Sequence, residues 1–429
     1  MKINVHSRVI RNFFHLGAYQ LANLLYPILI SPYLISKVGI DNFGLLVSAQ
    51  ALMTFLIIIC DYGFNMTATK DISLSSNNMK SVEVIFNSVM CVKFLLLFVC
   101  FIFLLFLISF VPFFISHSFL FLISFLIPLG RTFFPIWFFQ GMQKMQYLIF
   151  YSFFSKGIAA VLIFSLVNYR EDYLIVNPII GGMDFLATLI IIIIAKNKFK
   201  LSFFLPGIKN IKEQTKKSFF MFTSIFFSNI STNLGVIILG NFVSPIDLGI
   251  YSVAERAISL IKQFPLIIFQ AVYPHVSRMW IESKIYFFRY IKNLFFFLLI
   301  CISLIAFFTA SFSETISLFF SHENNKEIGI LLKYMVCLTI ISGLNIPAFI
   351  VILLTEKTKF FSSLVVFANI FYLLIGFFLS YKYGYWGIVI AILICDLIIT
   401  IANNFMAIKL KLFYSDNKTS IKISEVNIN

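Results

Sequence analysis

The sequence predicts an all-α polytopic membrane protein with about 12 transmembrane helices. Of its 429 residues, 60% are hydrophobic and only 12% are charged, and the mean hydropathy is +0.96. A soluble domain carries roughly 25% charged residues. The apolar residues also fall into blocks of about 20 residues, the length that crosses a bilayer. Lysine and arginine residues collect in alternate loops, which is typical of a chain that crosses the membrane repeatedly.

Taken in order, the apolar runs predict twelve spans. The first run is too long for a signal-peptide core, contains Gln20 and Asn23, and has no A-x-A cleavage site, so it predicts a retained helix. The remaining runs are separated by short breaks. The predicted limits are residues 13–35, 44–64, 84–112, 119–139, 147–168, 174–195, 216–240, 248–274, 286–309, 328–354, 360–381 and 386–408.

The distribution of basic residues predicts the orientation. The loops on one face hold only Lys37, Arg170, Lys326 and Lys382, whereas most of the 33 lysine and arginine residues lie in the other loops and at the termini. Because basic loops stay in the cytoplasm, both termini are predicted to be cytoplasmic. The net charge of +15 therefore faces anionic lipid and does not indicate nucleic-acid binding.

The chain divides into two halves of six spans. The longest cytoplasmic loop, residues 196–217, carries seven lysines and separates an N-terminal lobe, residues 1–195, from a C-terminal lobe, residues 218–429. Aligning Gly44 with Gly249 places FGLLVSAQA (43–51) against LGIYSVAER (248–256). An even number of spans per repeat gives both halves the same topology, as in two-lobed transporters.

Polar side chains form stripes on several predicted helices. The opposite face of the eighth span is apolar, so its stripe predicts a water-filled cavity, whereas hydroxyl and amide groups elsewhere also serve as contacts between helices. The first span aligns Tyr19, Asn23 and Tyr26 on one face. The stripe of the eighth span comprises Ser252, Glu255, Arg256, Ser259, Lys262 and Gln263.

Four cations lie near the predicted midplane: Arg131, Lys156, Arg256 and Lys262. Each costs about 2.5–3.5 kcal/mol at a helix centre, so we expect them to be hydrated, paired or facing an anion. Together they suit a phosphate or pyrophosphate, because arginine binds such groups through two N–H bonds and lysine as a point charge.

Each of these cations also has a structural interpretation. Arg131 stands between Pro128 and Pro135, and either pairs with a buried acid or caps carbonyl groups that the prolines free. Lys156 either reaches the membrane surface or has a single internal partner. Lys93, closer to a span end, is expected to extend to the surface. The acids expected at depth are Asp184, Glu255 and Asp396.

Signatures of enzymes and metal sites are not found in the sequence. It contains no Walker A, GxSxG or HExxH pattern. Its six cysteines lie in apolar runs, and neither they nor the five histidines have metal-binding spacing. We therefore expect no catalytic residues, no bound metal and no organic cofactor.

Four segments resemble the O-antigen flippases of the Wzx type. They are PYLISKVGIDNFG (32–44), DYGFNMTATKDIS (61–73), RTFFPIWFFQGMQKMQY (131–147) and LGIYSVAERAISLIKQFPLIIFQAVYPHVSR (248–278). The likeness covers the first half well and thins out after about residue 280. It implies the fold of the multidrug/oligosaccharidyl-lipid/polysaccharide (MOP) exporters, with two six-helix lobes around a central cavity.

The resemblance further implies a substrate and a mechanism. The expected substrate is an undecaprenyl-pyrophosphate-linked oligosaccharide, which alternating access moves from the cytoplasmic to the periplasmic leaflet of the bacterial inner membrane, coupled to H⁺ or Na⁺. An O-antigen polymerase and a chain-length regulator are the expected protein partners.

From their positions, the candidate residues receive three roles. Arg131, Lys156, Arg256 and Lys262 are expected to bind the pyrophosphate. The glycan is expected against Tyr19, Asn23, Tyr26 and Gln263, and ion coupling at Asp396, Glu255 or Asp184.

Two other functions remain as alternatives. An integral-membrane O-antigen polymerase or ligase also acts on lipid-linked glycans, but such enzymes usually have a large periplasmic loop. A cation-coupled small-molecule exporter of the same superfamily would share the fold, yet four basic residues would repel cationic cargo.

Overall fold

The structure is a computed structural model that describes residues 2–321, 325–355 and 357–426. Within these ranges the chain is helical and contains no strand. It forms two compact units, of which the first runs to Ser252 and the second begins at Val253, apart from a short piece around Phe320 that groups with the first. The lobe limits at residues 195 and 218 stay a prediction.

The first unit contains the helices up to α11, a 3-10 helix at Arg170–Asp172, and the first part of α12. The helices are α1 (Lys2–Asp61), α2 (Phe64–Ser75), α3 (Met79–Phe110), α4 (Pro112–Ser116), α5 (Ser118–Ser124), α6 (Leu126–Thr132), α7 (Ile136–Gly141), α8 (Gln146–Leu166), α9 (Tyr173–Phe199), α10 (Ile208–Ser228), α11 (Ile230–Gly240) and α12 (Pro245–Ile261).

The second unit contains the remainder of α12 and seven further helices among the residues described. These are α13 (Gln263–Glu282), α14 (Lys284–Ser311), α15 (Ser313–Ser321), α16 (Lys326–Met335), α17 (Cys337–Leu354), α18 (Thr358–Tyr383) and α19 (Tyr385–Val426). Leu294, Leu298 and Ile302 of α14 pack with Ile350 and Val351 of α17 in its core.

Helix α1 is longer than any bilayer span because it contains two predicted spans. Its backbone leaves the helical conformation at Gly39, where φ is 85° and ψ is 161°. Glycine adopts this positive φ without steric cost. Beside Gly39, Asp41 accepts hydrogen bonds from Arg170 at 2.7 and 2.8 Å. The turn between the first two predicted spans is therefore a break at one glycine.

Four predicted spans are broken, and one of them, the span 328–354, consists of α16 and α17, which meet at Val336. The span 119–139 consists of α5, α6 and α7, and α7 begins immediately after Pro135. The span 216–240 consists of α10 and α11, with a bend of 52°. The span 248–274 consists of α12 and α13, which meet at Lys262.

By length and composition, nine helical segments in the described part of the chain could cross a membrane, or ten if the bent pair α10–α11 is one span. The first of the nine, Gly17–Ser75, covers two predicted spans. The predicted 248–274 span is not among them, because it is divided at Lys262 and carries charged residues. A polytopic all-helical fold is confirmed, and the count of 12 is consistent with it without being established.

Aromatic side chains fill the core of the first unit. Phe86 of α3 lies 5.3 Å from Trp137 and 5.5 Å from Phe138, measured between ring centroids. Phe138 in turn contacts Phe199 at the end of α9. Lipid tails are as apolar as these rings, so their benefit is close van der Waals packing rather than removal from water.

The basic segment before α10 is fixed to α3 by two polar side chains. Glu83 accepts a hydrogen bond from the Ser202 amide at 2.8 Å. Asn87 donates to the Ser202 carbonyl at 2.9 Å and accepts from the Phe204 amide at 3.3 Å. These bonds hold residues 202–204 against α3.

Gly44 of α1 and Gly249 of α12 meet backbone to backbone. A Cβ atom on Gly44 would collide with the Gly249 backbone, and one on Gly249 would collide with the Ile40 carbonyl. Both glycines lie in the first unit. The two positions that align between the halves of the sequence therefore touch in the structure.

Candidate substrate-binding site

Arg131 lies in the last turn of α6, just before the break that leads to α7. Its Nε donates a hydrogen bond of 2.6 Å to Oδ2 of Asp184 on α9. The Asp184 side chain is only 3% exposed, whereas that of Arg131 is 37% exposed. The negative end of the α6 dipole also favours a cation here. The predicted pairing with a buried acid is thus present, but it uses only part of the guanidinium group.

Two glycines allow α6 to approach α9 closely enough for this ion pair. A Cβ on Gly130 would lie 2.6 Å from the Gly181 carbonyl oxygen, and one on Gly181 would lie 2.5 Å from the Ile127 nitrogen. Thr188 of α9 donates a 2.7 Å hydrogen bond to the Gly130 carbonyl. Small residues of this kind let helix backbones touch inside a membrane.

Arg131 and Asp184 line a cavity of about 140 Å³ that lies within the first unit. This volume holds a few water molecules, which each occupy about 30 Å³ in the liquid. The cavity brings together two predicted pyrophosphate ligands, two predicted glycan contacts and one predicted coupling acid. Its lining comprises Tyr19, Asn23, Ile57, Asp61, Asn65, Arg131, Phe134, Ile136, Tyr151, Lys156 and Asp184.

Lys156 of α8 reaches this cavity with a neutral partner. Its Nζ donates to Oδ1 of Asn23, and it lies 5.8 Å from the centre of the Tyr26 ring. Asn23 is oriented by its own bond of 2.9 Å to the Tyr19 carbonyl. Lys156 therefore has an internal partner, as one interpretation of the sequence required. That partner carries no charge, so it does not cancel the positive charge that Lys156 carries when it is protonated.

A second ion pair, between Lys93 and Asp61, was not predicted. Lys93 is fully buried and donates to Oδ1 of Asp61 at 2.7 Å and to the Thr132 carbonyl at 3.0 Å. The expectation that Lys93 extends to the membrane surface is therefore wrong. Asp61 also lines the cavity and accepts a 3.1 Å hydrogen bond from Asn65. The signal in the sequence was one acid and one base interrupting two neighbouring apolar segments.

The other predicted residues lie in the second unit. Lys262, at the break between α12 and α13, is 3.2 Å from Asp396 of α19. Glu255 and Arg256 are half-buried on α12, and Gln263 is exposed at the start of α13. The interpretation that all four cations surround one pyrophosphate stays a prediction, as do the glycan and coupling roles.

Among the described residues, no group of three histidine, cysteine, aspartate or glutamate side chains could hold a metal ion. Two of the three predicted coupling acids, Asp184 and Asp396, instead accept from a cation. A cation that enters would compete with the basic partner for the carboxylate. An anion would compete with the carboxylate for the basic group.

Comparison with known proteins gives a family match over most of the chain. A family described as polysaccharide biosynthesis protein matches residues 9–280. A protein of Escherichia coli (strain K12) named "Putative O-antigen transporter" is 28% identical over 398 residues, which cover 91% of this chain and 94% of that protein.

Two solved structures are similar in fold. One is an inward-facing conformation of a multidrug resistance MATE family transporter of the MOP superfamily, with a TM-score of 0.73 and 13% identity over 93% of this chain and 96% of that chain. The other is the lipid II flippase MurJ in an inward closed conformation, with a TM-score of 0.69 and 17% identity over 94% and 89%. The predicted MOP-type helical fold is confirmed.

Proposed function

Because the chain belongs to the polysaccharide biosynthesis protein family, we propose that it is a flippase for lipid-linked O-antigen units. Its substrate in this proposal is an undecaprenyl-pyrophosphate-linked oligosaccharide, carried from the cytoplasmic to the periplasmic leaflet of the bacterial inner membrane. Both termini then face the cytoplasm. The name of the E. coli relative and the likeness to a lipid II flippase support a transporter rather than an enzyme.

The observation that carries the proposal is that Arg131 uses only one of its N–H donor groups in its ion pair with Asp184. Asp184 accepts from Nε only, and no described residue accepts from the two terminal Nη groups. The side chain remains 37% exposed in a cavity that also contains the Lys156 ammonium group. Terminal guanidinium N–H groups bind phosphate oxygens through two parallel bonds. This end of the cavity therefore suits one phosphate of a pyrophosphate.

The charge balance of the cavity supports an anionic ligand. Arg131, Lys156 and the adjoining Lys93 are basic, while Asp61 and Asp184 are acidic. With all five ionised, one positive charge is in excess. A pyrophosphate would reverse the sign, and Arg256 and Lys262 from the second unit are the groups we propose to neutralise it.

Transport then follows from alternating access. The pyrophosphate binds to the cations, the first sugars contact Tyr19, Asn23, Tyr26 and Gln263, and the polyprenyl chain stays in lipid. Rocking of the two lobes opens the site to the other leaflet. The cavity residues hold charge and orient the substrate, and no bond is made or broken.

Ion coupling is proposed through the paired carboxylates. Protonation of Asp184 would weaken its bond to Arg131 Nε, and protonation of Asp396 would weaken its bond to Lys262. Either event changes how strongly a cation is held and hence its affinity for phosphate. Glu255 is the remaining candidate, and H⁺ or Na⁺ the coupling ion.

The test of the function is the leaflet on which lipid-linked O-units accumulate when the gene is deleted. Spheroplasts are treated with an impermeant sugar-modifying enzyme, and the lipid-linked glycans are then extracted. Units shielded from the enzyme would support loss of translocation. Single units open to the enzyme would indicate a polymerase or ligase, and no accumulation would favour a small-molecule exporter; either result overturns the proposal.

The site itself is tested by replacing Arg131. Arg131→Gln should abolish complementation of the deletion. Arg131→Lys should restore only part of it, because lysine keeps the positive charge but cannot form two parallel N–H bonds to a phosphate. Arg131→Gln alone leaves the buried Asp184 carboxylate unpaired, which costs about 3 kcal/mol. We therefore expect its protein level to fall.

A double variant separates stability from transport. Arg131→Gln with Asp184→Asn should restore the protein level but not transport. Arg170→Gln is the matched control, since it breaks another arginine–aspartate pair, with Asp41, outside the cavity. Full transport by the double variant would exclude Arg131 as a substrate ligand.

A further inference from the structure

A second and larger cavity lies between α2, α3 and α10 of the first unit. Its volume is about 440 Å³, and it is separate from the cavity around Arg131. It lies where α2 ends and α3 and α10 begin, on the side of the molecule where the basic loops collect. Its lining comprises Asp71, Leu74, Ser75, Lys80, Ser81, Val84, Ile85, Ser88, Asn210, Glu213, Gln214 and Lys217.

The charges in this cavity are divided between helices. On α2 and α10, Lys217 Nζ lies 2.9 Å from Glu213 Oε1 and 3.3 Å from Asp71 Oδ2, so two carboxylates share one cation and one negative charge is in excess. On α3, Lys80 is exposed and forms no ion pair with any described residue. The cavity is neutral in sum but has a negative and a positive part, which suits a zwitterion.

Two buried polar atoms in the lining have no partner among the described residues. They are Oε1 of Gln214, which is 6% exposed, and Oγ of Ser88, which is 0% exposed. Gln214 already donates its amide hydrogen to Asp71 at 3.3 Å, so its oxygen can only accept. A buried acceptor without a donor costs about 1–3 kcal/mol. A water molecule in the cavity would satisfy this oxygen, and so would a ligand that supplies an N–H or O–H group.

We propose that this cavity binds the headgroup of a phospholipid with a primary ammonium group, of the phosphatidylethanolamine class. The ammonium group donates to Gln214 Oε1 and is attracted by the excess negative charge of Asp71 and Glu213. The phosphate is bound by Lys80 and the Ser81 hydroxyl group. A choline headgroup has no N–H to donate, and a glycerol headgroup has no cation for the carboxylates.

The apolar part of the lining favours a lipid over a soluble phosphate ester. Leu74 of α2 is 78% exposed, and the half-buried Val84 of α3 adds to the apolar surface beside it. An acyl chain leaving the headgroup would cover this surface, whereas free phosphoethanolamine would leave it uncovered. The proposal does not depend on the transported substrate.

Competition between lipids tests the selectivity. The purified full-length chain in detergent is mixed with equal amounts of dioleoyl phosphatidylethanolamine, phosphatidylcholine and phosphatidylglycerol, and retained lipid is measured by native mass spectrometry. We expect roughly ten-fold preference for phosphatidylethanolamine, the factor of one charge-assisted hydrogen bond. Equal retention of the three lipids would overturn the proposal, as would full competition by free phosphoethanolamine at the same concentration.

Variants show whether the preference arises in this cavity. Gln214→Leu should lose the preference. Lys80→Gln should instead lower the retention of all three lipids, because each carries the phosphate that Lys80 binds, and Lys212→Gln, an exposed α10 lysine outside the lining, should change neither. Gln214→Leu also removes the hydrogen bond that Gln214 donates to Asp71, so its melting temperature in phosphatidylcholine is the baseline, and a further fall in phosphatidylethanolamine is expected. A loss of melting temperature that is equal in all three lipids would show a structural role for Gln214 and reject the site.

Discussion

Three basic side chains near the first-unit cavity are held in three different ways. Lys93 is fully buried and bound to two oxygen atoms, Arg131 uses one N–H for Asp184, and Lys156 has a neutral amide partner. Lys93 therefore has a structural role: it connects α3 to Asp61 of α1 and to the Thr132 carbonyl of α6. Arg131 keeps its terminal N–H groups for an anion, and Lys156 has no acidic partner among the described residues. Variants of Lys93 should therefore lose mainly stability, whereas variants of Arg131 or Lys156 should also lose transport.

The Lys93–Asp61 pair gives a prediction about stability. Asp61→Asn leaves a cation whose side chain is 1% exposed, whereas Lys93→Met leaves a carboxylate that is 27% exposed. Both should destabilise the protein, Asp61→Asn more strongly, by about 3 kcal/mol. The double variant should recover part of this loss. Thermal unfolding in detergent measures it, and a double variant no more stable than Asp61→Asn would argue against the pair.

At this scale the sequence could predict which residues matter better than how they pair. Arg131 and Asp184 both stood out as charges at depth, but their pairing depends on the contact between Gly130 and Gly181, which no local pattern reveals. Lys93 was misplaced because it was judged by its nearest span end. It lies nine residues into the predicted span, or about 13 Å of helix, already close to the middle of a bilayer.

At the scale of helices, the contact between α6 and α9 holds the site together. A Cβ on Gly181 would lie 2.5 Å from backbone atoms of Leu126 and Ile127, which cannot move aside as a flexible side chain can. A Cβ on the next residue, Gly182, would meet only the end of the Leu126 side chain at 3.6 Å. These adjacent glycines form a matched pair for mutation.

Gly181→Ala should therefore lower the melting temperature and impair transport, because it separates Arg131 from Asp184. Gly182→Ala should be neutral or slightly stabilising, since alanine favours a helix by up to about 1 kcal/mol over glycine. Thermal unfolding and complementation of the deletion measure the two effects. If both variants behaved alike, the close approach of α6 and α9 would not be required.

Only some of the helix breaks could be predicted from the sequence. Pro135 marks the break before α7, because proline provides no N–H for a continuing helix and disfavours helical geometry in the preceding residue. The break at Lys262 and the bend between α10 and α11 have no proline at the break itself. The hydropathy pattern predicted a single span for each of these helix pairs, because composition alone does not show where the backbone turns.

At the scale of the molecule, the distribution of basic loops predicts which side faces the cytoplasm. In a variant with its six cysteines replaced, Glu171→Cys should react with an impermeant maleimide in intact spheroplasts. Leu205→Cys, in the basic segment before α10 and 91% exposed, should react only after permeabilisation. The reverse pattern would contradict the predicted orientation of both termini.

The class of fold was predictable because the thickness of the bilayer sets the length of each apolar run at about 20 residues. The grouping of α10 and α11 with the first compact unit was not, because it depends on contacts between distant parts of the chain. Glu83 and Asn87 accept from the Ser202 and Phe204 amides, and Asn87 also donates to the Ser202 carbonyl, which explains part of this grouping. They connect α3 to a segment more than a hundred residues later, beyond the reach of any local pattern.

The contact between Gly44 and Gly249 has a consequence for inheritance. In a symmetric pair of identical chains, a residue that touches its own copy is altered on both sides by a single mutation. Here the two positions are encoded separately, so each glycine codon is exposed to mutation independently. A change at either one would place a Cβ against backbone atoms, and no change at the other can remove it. Duplication of an ancestral half would thus have doubled the number of codons at which selection must preserve glycine.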